Sequence, residues 1–537
     1  MSRNIRALSA RHSDDKTLFE LLIEAAKSDG CLSEQKLAEI SQQRPVSSAH
    51  LLATSSFYDF LHIDQGKRAY VCTGTSCMLQ GKQNQLRNAL SQNYQHDEIG
   101  EVKCLGHCYR GEAFIEAGHV LDVGQCYLES RDSVEKIPFY TYSSVSVFSN
   151  SVDDIEQYYQ SVLFDTKNIQ SQLKISGLRG RGGAGYPFAD KLMACAKATG
   201  KQKYVVCNAD EGDPGAFSDR YLLEQQTHAV LAGMLASAIA CDASTGFIYV
   251  RAEYPQAQKI IKQAITEFEN TQAYQNTQFS VRMIVGAGSY VCGEETALLN
   301  SIEGLKPEVR TRPPYPAQQG LFSQPTLISN VETFAAIPWI LKNSGSDFAS
   351  MGTDKSTGSK LLSLDHGFKR PGVYEVNMGE SLSKLIYDFA GGFSTDSKAI
   401  QVGGPLGSIV PVNKIADLNI DFESFDNNGF LLGHAGIIAI PDSFPIIDFM
   451  RHIFEFMADE SCGKCLPCRL GTRKGSDMLR GASQQSPVDG IAFNDLLDVL
   501  QQTSLCGLGS GLPLPVRNMM TYFSDELSDF FIKGSVS

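Results

Sequence analysis

The stretch GLRGRGGAGYPFADK, residues 177–191, is the point from which the fold of this chain can be worked out. Its core, GRGGAG at 180–185, holds four glycines in six residues. Glycine lets a backbone approach a phosphate or a flat ring where a Cβ would clash, and such a loop ahead of a helix forms an anion site. Taken alone, the loop is equally consistent with a tight turn, and its spacing differs from the G-x-G-x-x-G of dinucleotide-binding folds.

Strand-like runs alternate with helical runs downstream of this loop. The strand-like runs are YVVCNAD at 204–210, GFIYVRAEY at 246–254 and SVRMIVGAG at 280–288. This alternation is typical of an open α/β sheet. The apolar run HAVLAGMLASAIAC at 228–241 is Ala-rich and too short to span a bilayer, so it predicts a packed core helix. We therefore predict an α/β domain over residues 166–350.

The rest of the chain divides around this domain. Apolar residues at helical spacing predict helices over 15–45, with Gly30 as a stop. RAYVC at 68–72 predicts a strand, and AFIEAGHVLDVG at 113–124 predicts two strands that meet at Gly118. We expect a helical lead-in at 1–65, a small α/β domain at 66–130, a linker at 131–165, a small α+β module at 351–440 and a helical domain at 441–537.

Composition narrows the function classes. The 537 residues carry a net charge of −13, which argues against nucleic acid as the main partner, because phosphate binding needs clustered Lys and Arg. No apolar run reaches the roughly 18 residues of a membrane span, and the N-terminus lacks the apolar stretch of a secretory signal. We expect a cytoplasmic protein with no direct membrane span.

Four cysteines form a first group. CTGTSC at 72–77 and CLGHC at 104–108 give the pattern C-x4-C…C-x3-C. Four thiolates delivered by two loops suit an iron–sulfur cluster. Zinc is the main alternative, although it usually takes more closely spaced pairs. Four unrelated buried cysteines are the remaining alternative.

A second group lies near the C-terminus. ESCGKCLPCRLGTR at 460–473 contains C-x2-C-x2-C, and Cys506 follows in SLCGLGSG. Three close cysteines and a distant fourth are typical of a [4Fe–4S] cluster, with zinc again the alternative. The scattered cysteines are interpreted as small buried hydrophobes; they are Cys31, Cys126, Cys195, Cys207, Cys241 and Cys292.

Four polar motifs accompany the glycine loop. They are CNADEGDPGAFSDR at 207–220, CGEETALL at 292–299, RTRPPYPA at 310–317 and ISNVET at 328–333. Each of them alone would be interpreted as a solvated loop. Their joint presence beside a glycine-rich loop favours a binding site.

Together these motifs resemble the FMN- and NADH-binding, 51 kDa-type subunit of respiratory NADH dehydrogenase. The resemblance extends over nearly the whole chain from about residue 70. It is strongest to the fused form found in the diaphorase subunits of soluble NAD-dependent formate dehydrogenases and NAD-reducing hydrogenases. It implies a multidomain α/β protein with a thioredoxin-like [2Fe–2S] domain, a Rossmann-like FMN domain, a small ubiquitin-like α+β module of the SLBB type, and a C-terminal helical bundle with a [4Fe–4S] cluster.

The same resemblance implies roles for individual residues. The [2Fe–2S] ligands would be Cys72, Cys77, Cys104 and Cys108, and the [4Fe–4S] ligands Cys462, Cys465, Cys468 and Cys506. FMN would be bound by Gly180, Arg181, Gly182, Gly183, Lys191, Asn208, Asp210, Glu211, Gly293, Glu294, Asn330 and Thr333. The NADH site would be lined by Tyr186, Glu295, Arg312 and Tyr315. We expect Glu211 and Glu295 to be the catalytic residues.

Some positions differ from the family pattern. Bulky aromatic residues are expected at 192–194, where the chain has Leu192, Met193 and Ala194, and Arg312 and Ser329 stand where Lys and Asn are common. The adenine contacts, and with them the choice between NADH and NADPH, therefore stay open. Our hypothesis is that Glu295 favours NADH, because a carboxylate near the adenosine ribose repels a 2′-phosphate.

The resemblance implies an enzyme in which NADH reduces FMN and single electrons pass to the iron–sulfur clusters. The partners would be further iron–sulfur subunits and a catalytic subunit of another chain. The ending SLCGLGSGLPLPV leads us to favour a molybdenum or tungsten formate dehydrogenase, with a NiFe hydrogenase or a respiratory complex as alternatives. A non-catalytic electron-relay subunit is the alternative of another class.

Overall fold

A computed structural model of the chain describes residues 16–29, 32–43, 46–61, 67–116, 119–121, 136–143, 145–149 and 152–532. Gly30, Gly118, Cys31 and Cys126, for which we made predictions, lie outside these residues, as does the first part of the predicted lead-in.

The N-terminal helices form a layer on the central sheet of the protein. They are α1 (Leu18–Asp29), α2 (Glu34–Gln43) and α3 (Ser48–Ser55), followed by a 3-10 turn at Asp59–Leu61. Phe19 and Leu22 of α1 are fully buried in a core that they share with Phe247 and Tyr249. The predicted helical lead-in therefore packs onto the larger domain that follows it in sequence.

The first cysteine group belongs to a small four-stranded α/β unit. Its strands are β1 (Ala69–Cys72), β2 (Ile99–Val102), β3 (Phe114–Glu116) and β4 (His119–Leu121), in the order β2-β1-β3-β4. Strands β1 and β2 are parallel and the other pairs antiparallel. Helices α4 (Thr75–Gln80) and α5 (Gln83–Leu90) complete the unit, and a 3-10 turn at His96–Glu98 precedes β2.

The segment 131–165 differs from the linker that we predicted. Its described residues contain strand β5 (Phe139–Thr141) and helix α6 (Ile155–Val162). Tyr159 and Val162 of α6 are buried in the main core, and β5 pairs with a strand more than 200 residues later in the chain. A three-residue strand is too short to show the alternation on which a prediction from sequence depends.

The central domain is a four-stranded sheet between helices. Its strands are β6 (Tyr204–Ala209), β7 (Thr245–Val250), β8 (Ser280–Val285) and β9 (Thr326–Asn330), all parallel, in the order β8-β7-β6-β9. The predicted core helix is present and its middle is buried on every side. In such sheets ligands bind beyond the carboxyl ends of the strands, where the polar motifs at 207–220 and 328–333 begin.

The helices of this domain follow in chain order. They are α7 (Ile169–Ile175), α8 (Phe188–Lys197), α9 (Ser218–Gln225), α10 (Thr227–Cys241), α11 (Pro255–Glu269), α12 (Gln272–Thr277), α13 (Glu295–Ile302), α14 (Pro316–Gln319), α15 (Val331–Lys342) and α16 (Gly345–Ser350). Short 3-10 turns lie at Thr166–Asn168, Tyr290–Gly293 and Leu321–Ser323.

A mixed six-stranded sheet forms the small α+β module. Its order is β13-β12-β14-β10-β11-β5. The strands are β10 (Ser359–Leu364), β11 (Gly372–Asn377), β12 (Ser397–Val402), β13 (Ser408–Pro411) and β14 (Gly436–Pro441). Its helices are a π-helical turn at Lys384–Phe389, a 3-10 turn at Val412–Asp417 and α17 (Phe422–Asn427). Since β5 supplies the edge strand, the module begins earlier in the chain than residue 351.

The C-terminal part is helical and holds the second cysteine group. Its helices are α18 (Ile446–Asp459), α19 (Leu466–Arg480), α20 (Gly490–Thr503), α21 (Gly507–Gly511), α22 (Pro513–Tyr522) and α23 (Ser524–Leu527). Among the described residues, we find no helix with both the length and the apolar character needed to cross a membrane.

Candidate active site

A cavity of about 470 Å³ lies where the central domain, the small module and the helical part meet. Many of the residues predicted to bind FMN line it: Arg181, Gly182, Gly183, Asn208, Asp210, Glu211, Gly293, Glu294 and Asn330. The other predicted residues lie outside this lining: Gly180, Tyr186, Lys191, Glu295, Arg312, Tyr315 and Thr333. The volume and the glycine-rich wall suit a flat ring system with a phosphate.

The glycine loop forms one wall of this cavity through close backbone approaches. The Arg181 N–H donates to Thr333 Oγ1 at 2.9 Å, which fixes the loop on the start of α15. A Cβ at Gly182 would lie 2.9 Å from Asn330 Cβ, and Gly183 has a φ of +124°. Only glycine fits both positions without strain. Gly180 closes the base of the loop, where its N–H donates to the Tyr186 carbonyl at 2.8 Å.

Arg181 presents unused hydrogen-bond donors at the cavity wall. Its side chain is 1 % exposed, and one Nη donates to the Thr357 carbonyl at 2.6 Å. The Nε and the other Nη are buried without a hydrogen-bond partner. Burial lowers the pKa of Arg181 to about 10, so the guanidinium stays charged at neutral pH. A buried cation with two free donors fits an anionic or carbonyl-rich ligand such as FMN.

Glu211, one of the two predicted catalytic residues, caps a helix. Its carboxylate accepts the backbone N–H groups of Asp219 and Arg220 at 2.9 and 3.1 Å, and the Tyr254 hydroxyl at 3.1 Å. Burial raises the pKa of Glu211, and these hydrogen bonds oppose the rise. The acceptor capacity of this carboxylate is directed at the first turn of α9, so the structure gives Glu211 a structural function in addition to its place in the cavity lining.

Asp210 and Asn208 lie beside it at the end of β6. Asn208 donates to the Gly293 carbonyl at 2.8 Å, which joins the ends of two loops. One carboxylate oxygen of Asp210 is buried with no hydrogen-bond partner, and burial raises the pKa of this group well above its usual range. A buried acceptor of this kind is completed by a ligand that donates a hydrogen bond.

The residues predicted to bind the nucleotide form an ion-paired cluster. Arg312 bridges the carboxylates of Glu294 and Glu295 at 3.0 and 2.8 Å, and Lys191 lies 3.2 Å from the other oxygen of Glu295. Glu294 also accepts the Thr296 and Ala297 N–H groups at the start of α13. Tyr186 and Tyr315 are more than half exposed. Two cations thus hold Glu295.

The second cysteine group adjoins the cavity. Cys462, Cys465, Cys468 and Cys506 line one small pocket. Val291, Cys506 and Leu508 line both this pocket and the large cavity. Cys462 and Cys468 are buried, whereas Cys465 and Cys506 are partly exposed. Four thiol groups around one pocket match the donor set of a [4Fe–4S] cluster.

The first cysteine group is buried on the other side of the 210–215 loop. The Sγ atoms of Cys104 and Cys108 lie 3.7 Å apart. The Gly106 N–H donates to Cys104 Sγ at 3.3 Å and the Gly215 N–H to Cys108 Sγ at 3.2 Å. Hydrogen bonding with Cys108, together with the Arg251 charge, lowers the pKa of Cys104 to about 7 although burial opposes this. Backbone donors of this kind stabilise thiolate sulfur in a cluster.

Several residues of the cavity were not anticipated from the sequence. Asp213, Tyr290, Gly403, Leu406, Leu431, Gly433 and His434 all line it. Asp213 belongs to a motif that we singled out, but its acid was one among four. The glycine pattern VGGPLG at 402–407 marked the turn that contains Gly403. His434 gave no signal, because a lone histidine after a leucine and a glycine has no motif.

The class of protein follows from comparison with known families. Residues 5–115 match the thioredoxin-like [2Fe-2S] ferredoxin family, residues 173–339 the Nuo51 FMN-binding domain, and residues 448–529 the iron–sulfur binding region of NADH-ubiquinone oxidoreductase-F. The chain belongs to the Nuo51 family of FMN-binding, iron–sulfur NADH oxidoreductase subunits. FMN, NAD(H), a [2Fe–2S] cluster and a [4Fe–4S] cluster are its cofactors, and it is an NAD-dependent flavin oxidoreductase.

Individual relatives place it more closely. HndC, a component of the NADP-reducing hydrogenase of Solidesulfovibrio fructosivorans, is 39% identical over 66% of this chain and 74% of the relative. The corresponding polypeptide of the Escherichia coli NADH-quinone oxidoreductase is 35% identical over 67% and 83%. The alpha subunit of the NAD-reducing hydrogenase HoxS of Cupriavidus necator is 29% identical over 98% and 94%. A crystal structure of an NAD⁺-reducing [NiFe]-hydrogenase superposes with a TM-score of 0.85 at 26% identity, over 97% of this chain and 95% of that chain.

These findings confirm the resemblance, the fold class and the cofactors that we predicted. Both matched cysteine regions are iron–sulfur regions, so the zinc alternative is not supported. In the described part of the chain, no group of three or more His, Cys, Asp or Glu is arranged to hold a single metal ion. The non-catalytic relay alternative is not supported either, since the FMN domain matches as a whole. The formate dehydrogenase partner stays a prediction.

Proposed function

We propose that this chain exchanges electrons between NAD(H) and the iron–sulfur subunits of a hydrogenase-type complex, with FMN in the 470 Å³ cavity. The observation that carries the proposal is the wall shared by the cavity and the cysteine pocket, formed by Val291, Cys506 and Leu508. FMN supplies, when bound, the conversion between a two-electron hydride and single electrons. A cluster ligand in the wall of the flavin cavity gives those single electrons the shortest exit.

Within this proposal the chain's own residues bind, orient and exclude water. Gly182 and Gly183 let the backbone reach the flavin, and Arg181 offers its free donors to it. Asp210 and Asn208 complete the hydrogen bonds along one edge. Asn330 and Thr333 fix the loop on α15 and so belong to the same site. The buried pair of Glu332 and Lys360 ties the central domain to the small module, which closes the cavity on the far side.

The nucleotide would enter over the exposed Tyr186 and Tyr315, beside the cluster of Glu294, Glu295, Lys191 and Arg312. Glu295 retains a role in selectivity, although its charge is opposed by two cations. Removing this carboxylate would leave Lys191 and Arg312 free to bind a 2′-phosphate. On this reasoning the carboxylate, and not the aromatic residues missing at 192–194, sets the preference for NADH.

The catalytic partner is proposed to be a hydrogen-oxidising enzyme. The supporting observation is the likeness over nearly the full length of both chains to a subunit of an NAD-reducing hydrogenase and to a chain of a solved NAD⁺-reducing [NiFe]-hydrogenase. The formate dehydrogenase that we favoured from the C-terminal motif lacks a comparable observation. It remains the competing prediction, and one assay separates the two.

The assay uses the native complex, isolated anaerobically through a tag on this chain. Hydrogen should support NAD⁺ reduction and formate should not. The reverse result would replace the hydrogenase by a formate dehydrogenase. NADH reduction of an artificial two-electron dye should survive in Cys506→Ser, whereas transfer to a one-electron acceptor that accepts only from the [4Fe–4S] cluster should be lost. A dye activity absent from flavin-replete wild-type protein would contradict the proposed function.

A further inference from the structure

An unsatisfied histidine donor faces the cavity from the small module. His434 Nδ1 accepts the Gly436 N–H at 3.0 Å, so the neutral ring carries its proton on Nε2. The Nε2 atom is buried without a hydrogen-bond partner and lies 3.5 Å from Asp213 Oδ2. The two side chains come from different domains and both line the cavity.

Asp213 is held in place from its other side. Its Oδ1 accepts the Tyr290 hydroxyl at 2.7 Å, which leaves Oδ2 as the oxygen that faces His434. Gly404 permits the approach, since a Cβ there would lie 2.7 Å from Asp213 Oδ1 and 2.9 Å from His434 Nε2, and its φ is +74°. The local backbone is therefore shaped to keep a free donor and a free acceptor side by side.

We propose that His434 Nε2–H and Asp213 Oδ2 together bind the primary carboxamide of the nicotinamide ring. A carboxamide carries one carbonyl acceptor next to one NH₂ donor. His434 donates to the carbonyl, and Asp213 accepts from the NH₂ group. This inference rests on the proposed function, because it assigns the position of NAD(H) within that site. His434 is thus a specificity-determining residue supplied by the small module.

The position of the pair favours the entering nucleotide over the resident flavin. Gly182, Arg181 and Asn330 form the wall that belongs to the glycine loop, whereas His434 and Asp213 lie on a wall shared with Leu431. Leu431 is 40 % exposed, which marks the mouth of the cavity. The side chain of Asp213 is 24% exposed, unlike the buried Asp210 beside it. A group that enters through the mouth meets His434 and Asp213 first.

The test compares NAD⁺ with its 3-acetylpyridine analogue, in which a methyl group replaces NH₂ and the carbonyl stays. Dissociation constants are measured by flavin fluorescence on the oxidised, flavin-replete full chain. Wild type should bind NAD⁺ about 5- to 10-fold more tightly than the analogue, the value of one hydrogen bond. Asp213→Ala should abolish this ratio by weakening NAD⁺ alone. His434→Ala should weaken both ligands by about 5-fold, and His434→Gln, which keeps a donor, should recover most of the loss.

Two further measurements exclude a structural explanation. In ¹⁵N-histidine spectra of the full chain, the His434 signals should show the Nε2–H tautomer, and Nε2 should shift when NAD⁺ is added. His228→Gln, a histidine paired with Glu267 away from the cavity, should leave both dissociation constants unchanged. If Asp213→Ala does not fold, Asp213→Asn replaces it, with a reduced ratio expected. Equal NAD⁺-to-analogue ratios in wild type and the Asp213 variants would overturn the inference while leaving the proposed function intact; a wild type that binds neither nucleotide would overturn both.

Discussion

Replacing Arg181 by Met should change protein stability and flavin affinity in opposite directions. In the flavin-free protein the guanidinium is buried with two unpaired N–H groups, and each such group costs about 1–3 kcal/mol. Met keeps most of the volume but loses the hydrogen bond to Thr357, which offsets part of the gain. We expect the flavin-free variant to be more stable by about 1–3 kcal/mol.

The same change should weaken FMN binding strongly. Two charge-assisted hydrogen bonds contribute about 1.5–3 kcal/mol each, and since 1.4 kcal/mol is a factor of ten, the dissociation constant should rise at least about 100-fold. Thermal unfolding of the deflavinated protein and titration with FMN followed by flavin fluorescence measure both effects. Arg179→Met is the matched control: its guanidinium is already bound by Gly185 and Glu423, so it should lose stability and keep FMN affinity. A destabilised R181M with unchanged FMN affinity would refute the reasoning.

Three other substitutions test separate parts of the structure. Lys360→Met leaves Glu332 buried and unpaired and should cost about 3–5 kcal/mol in denaturant unfolding, most of it regained in K360M/E332Q; equal stability of the single and double variants would contradict this. Burial raises the pKa of Asp59 to about 8, so its contribution is full below the unfolded value near 3.8 and is lost as pH rises towards 8; Asp59→Asn should therefore gain about 1.4 kcal/mol per pH unit over wild type across that window, and parallel stability curves would count against it. Glu295→Gln should raise the NADPH-to-NADH ratio of kcat/KM about 10-fold by freeing Lys191 and Arg312, with Glu303→Gln, just past the end of the same helix, as the control; an unchanged ratio would remove Glu295 from selectivity.

The sequence was sufficient where chemistry and spacing coincide. The two cysteine groups and the glycine loop are local patterns, and their residues come together in the structure as local patterns should. The core helix at 228–241 could be predicted because composition alone decides between a buried helix and a membrane span. These features depend on residues close together in the chain, which a reading of one sequence can compare directly.

The parts that were missed depend on distant partners. Strand β5 exists because it pairs with β11, and three residues carry no periodicity of their own. His434 enters the cavity because the turn before β14 places it opposite Asp213, more than 200 residues earlier in the chain. Glu211 was assigned a catalytic role from its motif, yet its hydrogen-bond partners lie on the helix that follows the loop. No local pattern distinguishes a carboxylate that caps a helix from one that contacts a ligand.

The 210–215 loop explains why the two cluster-binding units and the cavity belong to one chain. Asp210 and Asp213 line the cavity, and the Gly215 N–H at the end of the same loop donates to a sulfur of the first cysteine group. Arg251 fixes this arrangement, because it donates to the carbonyls of Glu211 and Cys104 at 3.1 and 2.8 Å. Both cluster sites are thus rigidly placed against the cavity, one through the wall at Cys506 and the other through this loop, and neither depends on a mobile linker for its position.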